Sequence, residues 1–364
     1  MPATRTDIDL LGFERPLRGR RILVTGHTGF TGGWLALWLR TIGADVTGLA
    51  LKPCTEPNLF TAAGIEECLT SHIGDIRDPA LVRDVVEEAQ PFIVLHLAAQ
   101  PLVSQSFADP LETFTTNVAG TANVLEAARL AARVKAFVCI TTDKVYADQG
   151  AQHGHKETDR LGGKDPYSAS KACVEIVAAC YRATLAARAN GMLVATARGG
   201  NIIGGGDWSD DRIVPDFARA VTSRTPLVLR NPAAVRPWQH VLALVHGYLL
   251  LASKLVQDDA ACADAWNFGP PDNEAVSVET LVDGLARAWV LPDIQRASGR
   301  FPETQFLGLD SARARAELGW KPPVDFAAAL GLTAAWYREF AADPHSAGPS
   351  TMRQIEDYRK KLEA

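Results

Sequence analysis

Arg21-Ile22-Leu23-Val24-Thr25-Gly26-His27-Thr28-Gly29-Phe30-Thr31-Gly32 runs from a short apolar stretch into three glycines spaced Gly-x-x-Gly-x-x-Gly, and a helical pattern, Trp34 to Ile42, follows. Strand, tight turn, helix is the reading. Glycines at such a turn let a backbone approach a pyrophosphate, and the helix N-terminus supplies N–H donors and partial positive charge. An ordinary tight turn would look similar, and the spacing differs by one residue from the usual dinucleotide fingerprint. Its place after the first strand of an alternating pattern favours the cofactor reading.

Outward from there, Asp45 to Leu51, the run ending at His72-Ile73, Phe92 to Gln100, Ala136 to Ile140 and Leu193 to Thr196 read as strands, and Pro110 to Ala132 as one long helix. Strands alternating with helices predict an α/β fold with a Rossmann-like, doubly wound parallel sheet, whose ligands sit outside the carboxyl ends of the strands. The apolar run from Phe92 suits a central strand buried on both faces. Polar or small clusters fall at those ends. Asp75 and Ile76 are placed to touch an adenine ring, although Asp75 equally suits a turn or helix cap; Leu97-Ala98-Ala99 lets a flat cofactor pass close by. The acidic residue that usually meets the adenosine ribose is replaced by Ala50-Leu51-Lys52, which leaves NAD and NADP both open.

Beyond Gly204 the pattern becomes irregular. Pro215 to Val221, Val241 to Leu255, Val276 to Val290, a stretch ending at Gly319 and Phe326 to Phe340 read as helices; Pro226 to Leu229 and Ala265 to Phe268 are strand-like, and Phe301 to Leu309 joins the same lobe. The expected organisation is a dinucleotide-binding domain over 18–203 plus about 238–270, and a smaller C-terminal α/β substrate-binding lobe over about 204–237 plus 271–342. A linker, Ala341 to Ser350, is expected before a loosely held helix in the tail, 343–364.

The 364 residues, 47% hydrophobic, suffice for a substantial core. A net charge of −5 without any Lys/Arg block argues against nucleic-acid binding. Met1 to Arg21 lacks an apolar targeting core, and no apolar run is long enough to span a bilayer, so cytoplasmic residence without membrane attachment is expected. Cys54, Cys68, Cys139, Cys173, Cys180 and Cys262 show no zinc-like spacing, which predicts free thiols and no metal site.

Two clusters hold most of the proton chemistry: Thr142-Asp143-Lys144 at a strand end, and Tyr167-Ser168-Ala169-Ser170-Lys171 opening a helix. Residues four apart share a helix face, so Tyr167 and Lys171 converge on one group. Lowering a phenol pKa from about 10 to neutrality takes about 4 kcal/mol. A cation at roughly 4 Å in an effective dielectric near 20 supplies about that much. Alone, Tyr-x-x-x-Lys arises by chance on many helix surfaces. Arg230 and Arg236 lie in loops, where a guanidinium fork suits a diphosphate, or equally a surface salt bridge.

More specific are Thr-Gly-His-Thr-Gly-Phe at 25–30, Ala-Ala-Gln-Pro-Leu-Val at 98–103, Asp-Pro-Tyr-Ser at 165–168 and Gly-Asn-Ile-Ile-Gly-Gly-Gly-Asp-Trp at 200–208. Arg-Asn-Pro at 230–232, Arg-Pro-Trp-Gln-His-Val at 236–241 and Trp-Asn-Phe-Gly-Pro at 266–270 complete the set. With these, residues 18 to 340 resemble the extended short-chain dehydrogenase/reductase superfamily and, within it, the CDP-glucose 4,6-dehydratase group. The resemblance implies a bound NAD, held by Gly26, Thr28, Gly29, Phe30, Gly32, Asp75, Ile76, Leu97, Ala98, Ala99, Tyr167 and Lys171. It also implies CDP-glucose as substrate, contacted by Gln100, Asn201, Asp207, Trp208, Arg230, Arg236 and His240, and converted to CDP-4-keto-6-deoxyglucose.

In that scheme Tyr167 takes the carbon 4 hydroxyl proton, Thr142 bonds the same hydroxyl, Lys171 holds the cofactor ribose, and Asp143 protonates the departing carbon 6 hydroxyl. Lys144 stands where thymidine-type dehydratases place a glutamate base for carbon 5; it serves as that base only if neutral, or else as a salt-bridge partner of Asp143. Ser104 and Lys52 depart from the group, which commonly has arginine and aspartate there, and the loop from Ala147 to His155 is shorter. Small residues on the helices near Asn117 and after Lys171 resemble faces that pair subunits in this superfamily, which implies a homodimer or homotetramer. Competing readings are a 4-epimerase, a dehydratase for another nucleotide sugar, or a non-catalytic dinucleotide-binding regulator.

Overall fold

Seven strands form one parallel sheet in the computed structural model, which describes residues 10–147, 153–185, 191–270, 275–298 and 306–363. They are β1 (Arg21–Thr25), β2 (Asp45–Ala50), β3 (Thr70–Ile73), β4 (Ile93–His96), β5 (Ala136–Ile140), β6 (Leu193–Gly199) and β7 (Ala265–Phe268). Their order is β7-β6-β5-β4-β1-β2-β3, so the winding reverses between β1 and β4 and opens a crevice at their carboxyl ends.

Helices cover both faces, and the two-residue alternation of the strands assigns each side chain to one of them. Ile22, Val24, Ile93, Leu95, Ala136 and Val138 face α1 (Phe30–Thr41) and, from later in the chain, Val241–Val256. Leu23, Val94, Phe137 and Cys139 face α2 (Pro79–Ala89), α3 (Thr121–Leu130) and α4 (Pro166–Cys180). Past β6 come α5 (Ile213–Ser223), α6 (Val241–Val256), α7 (Val278–Ala288), α8 (Phe326–Ala342) and α9 (Ala347–Glu363). Short pairs join the later segments: Leu227–Leu229 with Ile294–Arg296, and Val235–Arg236 with Val276–Ser277.

Several elements differ from the sequence reading. α1 begins at Phe30, four residues early, because Gly32 and Gly33 sit inside it at contacts too tight for a side chain. The long helix from Pro110 is in fact Pro110–Phe114, a π-turn over Thr115–Gly120, and α3. Asn117 lies in the π-turn, a local widening that recurs at functional sites. β6 runs on to Gly199, which places Arg198 in the sheet instead of a loop. Of Phe301 to Leu309, residues 301–305 lie outside the described residues, as do 148–152 of the loop after Ala147.

The terminal helix is not loosely held, and no extended linker precedes it. α8 continues to Ala342, Asp343 caps a short 3-10 turn, and α9 begins at Ala347. α9 buries Ile355 and Tyr358, and Trp336 Nε1 donates to Thr351 Oγ1 at 2.9 Å. Arg359 donates to both oxygens of Glu14, each at 2.8 Å, and Trp38 Nε1 donates to the same carboxylate at 2.7 Å. Arg353, Asp357 and Lys360 lie on its exposed face; the other carries the buried side chains, Arg359 among them. All six cysteines are free thiols. Among the described residues no helix is long and apolar enough to cross a membrane, and no cluster of metal-ligating side chains occurs.

Candidate active site

The glycine turn lies at the carboxyl end of β1 with its backbone drawn tight. Gly26 adopts φ +79, and a Cβ there would stand 2.8 Å from the Ala98 nitrogen; one on Gly32 would stand 2.1 Å from the Gly26 oxygen. Only glycine fits either position, and the N-terminus of α1, begun by Gly29 without a side-chain cap, opens beside them. Thr28 Oγ1 ties the turn to β2 by donating to the Leu51 carbonyl at 2.8 Å. Phe30 reaches toward the later chain: a Cβ on Gly204 would lie 3.2 Å from its ring. These are the features a pyrophosphate cradle requires, and the residues fit a dinucleotide.

Below the cradle, Thr25 Oγ1 accepts from the backbone N–H groups of Leu97 and Ala98, both at 3.1 Å, and bonds His96 Nδ1 at 2.7 Å. His96 Nε2 meets Thr121 Oγ1 at 2.9 Å, and that hydroxyl donates to the Asn117 carbonyl. Thr121 has spent its proton, so Nε2 carries the imidazole hydrogen. Burial and the Lys171 charge hold His96 neutral, its pKa lowered to about 3. Asp75 folds back on Arg77, accepting from its guanidinium at 2.6 Å, which draws the carboxyl below its usual range. Ile76 is buried against Gly120. Lys52 is exposed just past β2.

Thr142 caps a short 3-10 turn, Asp143–Val145, directly after β5. Opposite it, Asp165 caps α4 by accepting from the Ser168 N–H at 2.9 Å, and Pro166 fits the first helical turn. That cap orients Tyr167 and Lys171 toward the end of β5. Asn117 locks the arrangement: it accepts from the Gln100 N–H at 2.8 Å and donates to Ser170 Oγ at 2.8 Å.

Tyr167 differs electrostatically from expectation. Its pKa is pushed up to about 12 by burial, with a Thr142 hydrogen bond and the Arg212 charge pulling it down. Lys171 Nζ donates to the Ile140 carbonyl at 3.2 Å, and burial lowers its own pKa. Asp143 is buried too. It accepts from Thr142 Oγ1 at 3.0 Å, while its Oδ2 has no hydrogen-bond partner among the described residues. Burial raises its pKa against the opposing charges of Lys144 and Arg236. Thr142, Asp143, Lys144, Tyr167 and Arg236 therefore share one centre.

The remaining substrate candidates divide. Asn201 Oδ1, Trp208 Nε1 and His240 Nε2 are buried polar atoms without a hydrogen-bond partner among the described residues. His240 also caps α6, its Nδ1 accepting from the Leu242 N–H at 3.3 Å. Gln100 is already engaged, donating to Thr113 Oγ1 at 2.8 Å and accepting from the Leu102 N–H at 2.6 Å. Asp207 pairs with Arg212 at 3.1 Å, and Arg230 with Asp211 at 2.5 Å on the exposed rim.

Sequence reasoning passed over Arg212, whose charge reaches Tyr167, and a buried set made of Tyr146, Glu175, Arg198 and Asn267. Glu175 had a readable signal, since it continues the four-residue spacing of Tyr167 and Lys171. The other partners come together only through the fold.

Residues 23–332 match the family model described as GDP-mannose 4,6 dehydratase. The chain is 41% identical over 347 residues to a CDP-glucose 4,6-dehydratase of Salmonella typhimurium, covering 94% of this chain and 96% of that protein. It is 31% identical to a dTDP-glucose 4,6-dehydratase of Streptomyces antibioticus, covering 87% and 92%. Among solved structures, a UDP-glucose 4-epimerase of Thermus thermophilus in complex with NAD aligns with TM-score 0.76 at 26% identity, covering 87% of this chain and 99% of that one. A dTDP-glucose 4,6-dehydratase of Streptomyces venezuelae with NAD bound aligns with TM-score 0.73 at 25% identity, covering 89% and 99%.

Proposed function

The chain belongs to the GDP-mannose 4,6 dehydratase family, and on that basis we propose that it is an NAD-dependent hydro-lyase that converts CDP-glucose to CDP-4-keto-6-deoxyglucose. The observation that carries the reading is Asp143: a buried carboxyl with a raised pKa and one open oxygen, beside Thr142 and in the same centre as Tyr167. A carbon 4 epimerase needs the tyrosine but has no use for an adjacent proton donor. The likeness to the Salmonella enzyme supports CDP-glucose over other nucleotide hexoses.

NAD, when bound, supplies a hydride acceptor for carbon 4, a hydride donor for carbon 6 and, in its oxidised form, a positive charge. The glycine turn at Gly26, Gly29 and Gly32 would hold its pyrophosphate, with Thr28, Phe30, Asp75, Ile76 and Leu97 to Ala99 around the remainder. Buried Tyr167, its pKa drawn down from about 12 by that positive charge, takes the proton from the carbon 4 hydroxyl as phenolate, a contact that Thr142 shares. Once carbon 4 is a ketone, the carbon 5 proton is acidic enough to be removed, and Lys144 is the base proposed to take it. Asp143 then gives its proton to the carbon 6 hydroxyl, which departs as water, and the proton taken from carbon 5 returns there from Lys144 as carbon 6 is reduced.

Gln100, Asn201, Asp207, Trp208, Arg230, Arg236 and His240 are the proposed substrate contacts, with segments 204–237 and 271–342 as the lobe that covers the sugar nucleotide. Leu111, on Pro110–Phe114, and Ile176, on α4, are 75% and 60% exposed, which supports a homodimer that covers them. Light scattering decides it. We place the enzyme in the cytoplasm, where exposed thiols such as Cys54 and Cys180 stay reduced.

Incubation with CDP-glucose, followed by mass spectrometry, tests the activity. Loss of one water is expected, faster than with the dTDP, UDP or GDP sugars. Unchanged mass with inverted carbon 4 would point to an epimerase, and no change with any of them would end the reading.

A further inference from the structure

Glu175 follows Lys171 by one helical turn on α4, and its carboxylate is saturated by groups that flank the catalytic turn. Oε1 accepts from Thr141 Oγ1 at 2.5 Å; Oε2 accepts from Thr196 Oγ1 at 2.8 Å and from Arg198 Nη2 at 2.7 Å. Lys171 Nζ donates to the Ile140 carbonyl. Two successive turns of α4 thus grip Ile140 and Thr141, the residues just before Thr142. On the far flank, Arg198 Nη1 donates to the Tyr146 hydroxyl at 2.8 Å, and that hydroxyl donates to Asn267 Oδ1 at 2.6 Å. Tyr146 directly follows Val145, the last residue of the turn.

One ion pair, with side chains 4% and 2% exposed, therefore anchors both ends of the segment that carries Thr142, Asp143 and Lys144. Burying such a pair costs desolvation that its attraction rarely exceeds, so stability alone does not explain it. We propose that Glu175, with Arg198 as its counter-ion, is a positioning residue: it holds the Thr142–Lys144 turn in register with Tyr167 and keeps Lys171 an ammonium. The titratable groups that act on Lys171 are Cys139 on β5, His96 on β4 and Glu175 on its own helix, with Arg198 behind Glu175. Burial pushes Cys139 up to about 12 and His96 down to about 3, so both are neutral near pH 7. That leaves Glu175 as the anion that acts on Lys171. What the turn does rests on the proposed dehydratase function; the state of Lys171 does not.

The test compares Glu175→Gln, Thr141→Val and Thr196→Val. Two readouts are used: water loss from CDP-glucose across pH, and the Lys171 titration by NMR of 13Cε-lysine-labelled protein, assigned through Lys171→Arg. Glu175→Gln is expected to lower kcat about 10-fold or more with KM within about 3-fold, and to move the Lys171 titration and the basic limb of kcat to lower pH. Thr141→Val lowers kcat without moving the titration. Thr196→Val, which touches the carboxylate but neither flank, keeps kcat within about 2-fold. Should Glu175→Gln fail to fold, Glu175→Asp keeps the charge but shortens the reach, so its titration stays and its kcat falls. An unmoved titration with unchanged kcat in Glu175→Gln, or equal losses in Thr196→Val and Thr141→Val, overturns the proposal. Wild-type protein inert toward every nucleotide hexose would defeat the dehydratase reading instead, and the NMR titration would still judge Glu175.

Discussion

Thr142 Oγ1 donates to Asp143 Oδ1 across 3.0 Å and leaves Asp143 Oδ2 buried with no hydrogen-bond partner among the described residues. The Asp143 pKa is raised above its ordinary 3.8, chiefly by burial. The folded chain thus binds this proton more tightly than the unfolded chain does. The associated stability is complete below pH 3.8 and is lost as pH rises through the folded value. Asp143→Asn cannot ionise, so near pH 7 it is expected to be more stable than wild type by about 1 kcal/mol, with the gap closing in acid. Dehydration in the same variant should fall about 100- to 10,000-fold. Urea unfolding at neutral and acid pH, beside the water-loss assay, checks both; a variant less stable than wild type at pH 7 would contradict the assignment.

His27, His96, His240 and His246 are buried, with pKa values lowered to about 4, 3, 3 and 3. Each picks up a proton near pH 6.5 only when the chain unfolds. Their stabilisation is present above pH 6.5 and drains away as pH falls toward the folded values, at about 1.4 kcal/mol per pH unit for each. Unfolding between about pH 5.5 and 4.5 should therefore take up roughly four protons or more. Denaturant melts across that window measure the slope, and uptake of about one proton would show that the imidazoles are not held neutral.

Gly32→Ala forces a Cβ to within 2.1 Å of the Gly26 carbonyl oxygen. Because that atom belongs to the backbone, the turn must open, and NAD affinity should fall at least about 10-fold at a stability cost of about 1–3 kcal/mol. Gly64→Ala is the contrast: its Cβ meets nothing within 4 Å, the cradle included, but its φ of +61 strains the backbone locally. It should lose stability and keep its affinity in a fluorescence titration with NAD.

Arg359→Met strands the Glu14 carboxylate, which is fully buried and otherwise bonded by Trp38 and the Leu11 N–H. Breaking one side of a buried pair costs about 3–5 kcal/mol, whereas removing both charges costs far less. Glu14→Gln in the Arg359→Met background is thus expected to recover most of the loss. Thermal unfolding of the two single variants and the double variant gives the coupling directly, and simple additivity would mean that the two ends of the chain are not energetically joined.

The fold was legible where local pattern and covalent spacing carry it. The run Arg21–Thr25 into the glycines, the apolar strand at Ile93–His96 and the four-residue step from Tyr167 to Lys171 all stand where the sequence placed them. Illegible were features set by partners distant in sequence. Asn117 is drawn toward Gln100 and Ser170, so a continuous helical pattern became a π-turn. A charge that lowers the Tyr167 pKa belongs to Arg212, 45 residues on in sequence, and Lys171 Nζ donates to the Ile140 carbonyl. The charged stretch of α9 read as a loosely held helix, since its acidic partner lies 345 residues earlier.

The bond between Glu14 and Arg359 also bears on how the protein is made. While Ala347–Glu363 is still inside the ribosome, the 17 residues that roof Trp38 and satisfy Glu14 have not arrived. Helix α1, whose first turn shapes the cofactor cradle, then lacks the cover that Tyr358 and Arg359 give its Trp38 end. Maturation of the nucleotide-binding half must wait until α9 has emerged, although its first six strands emerge long before.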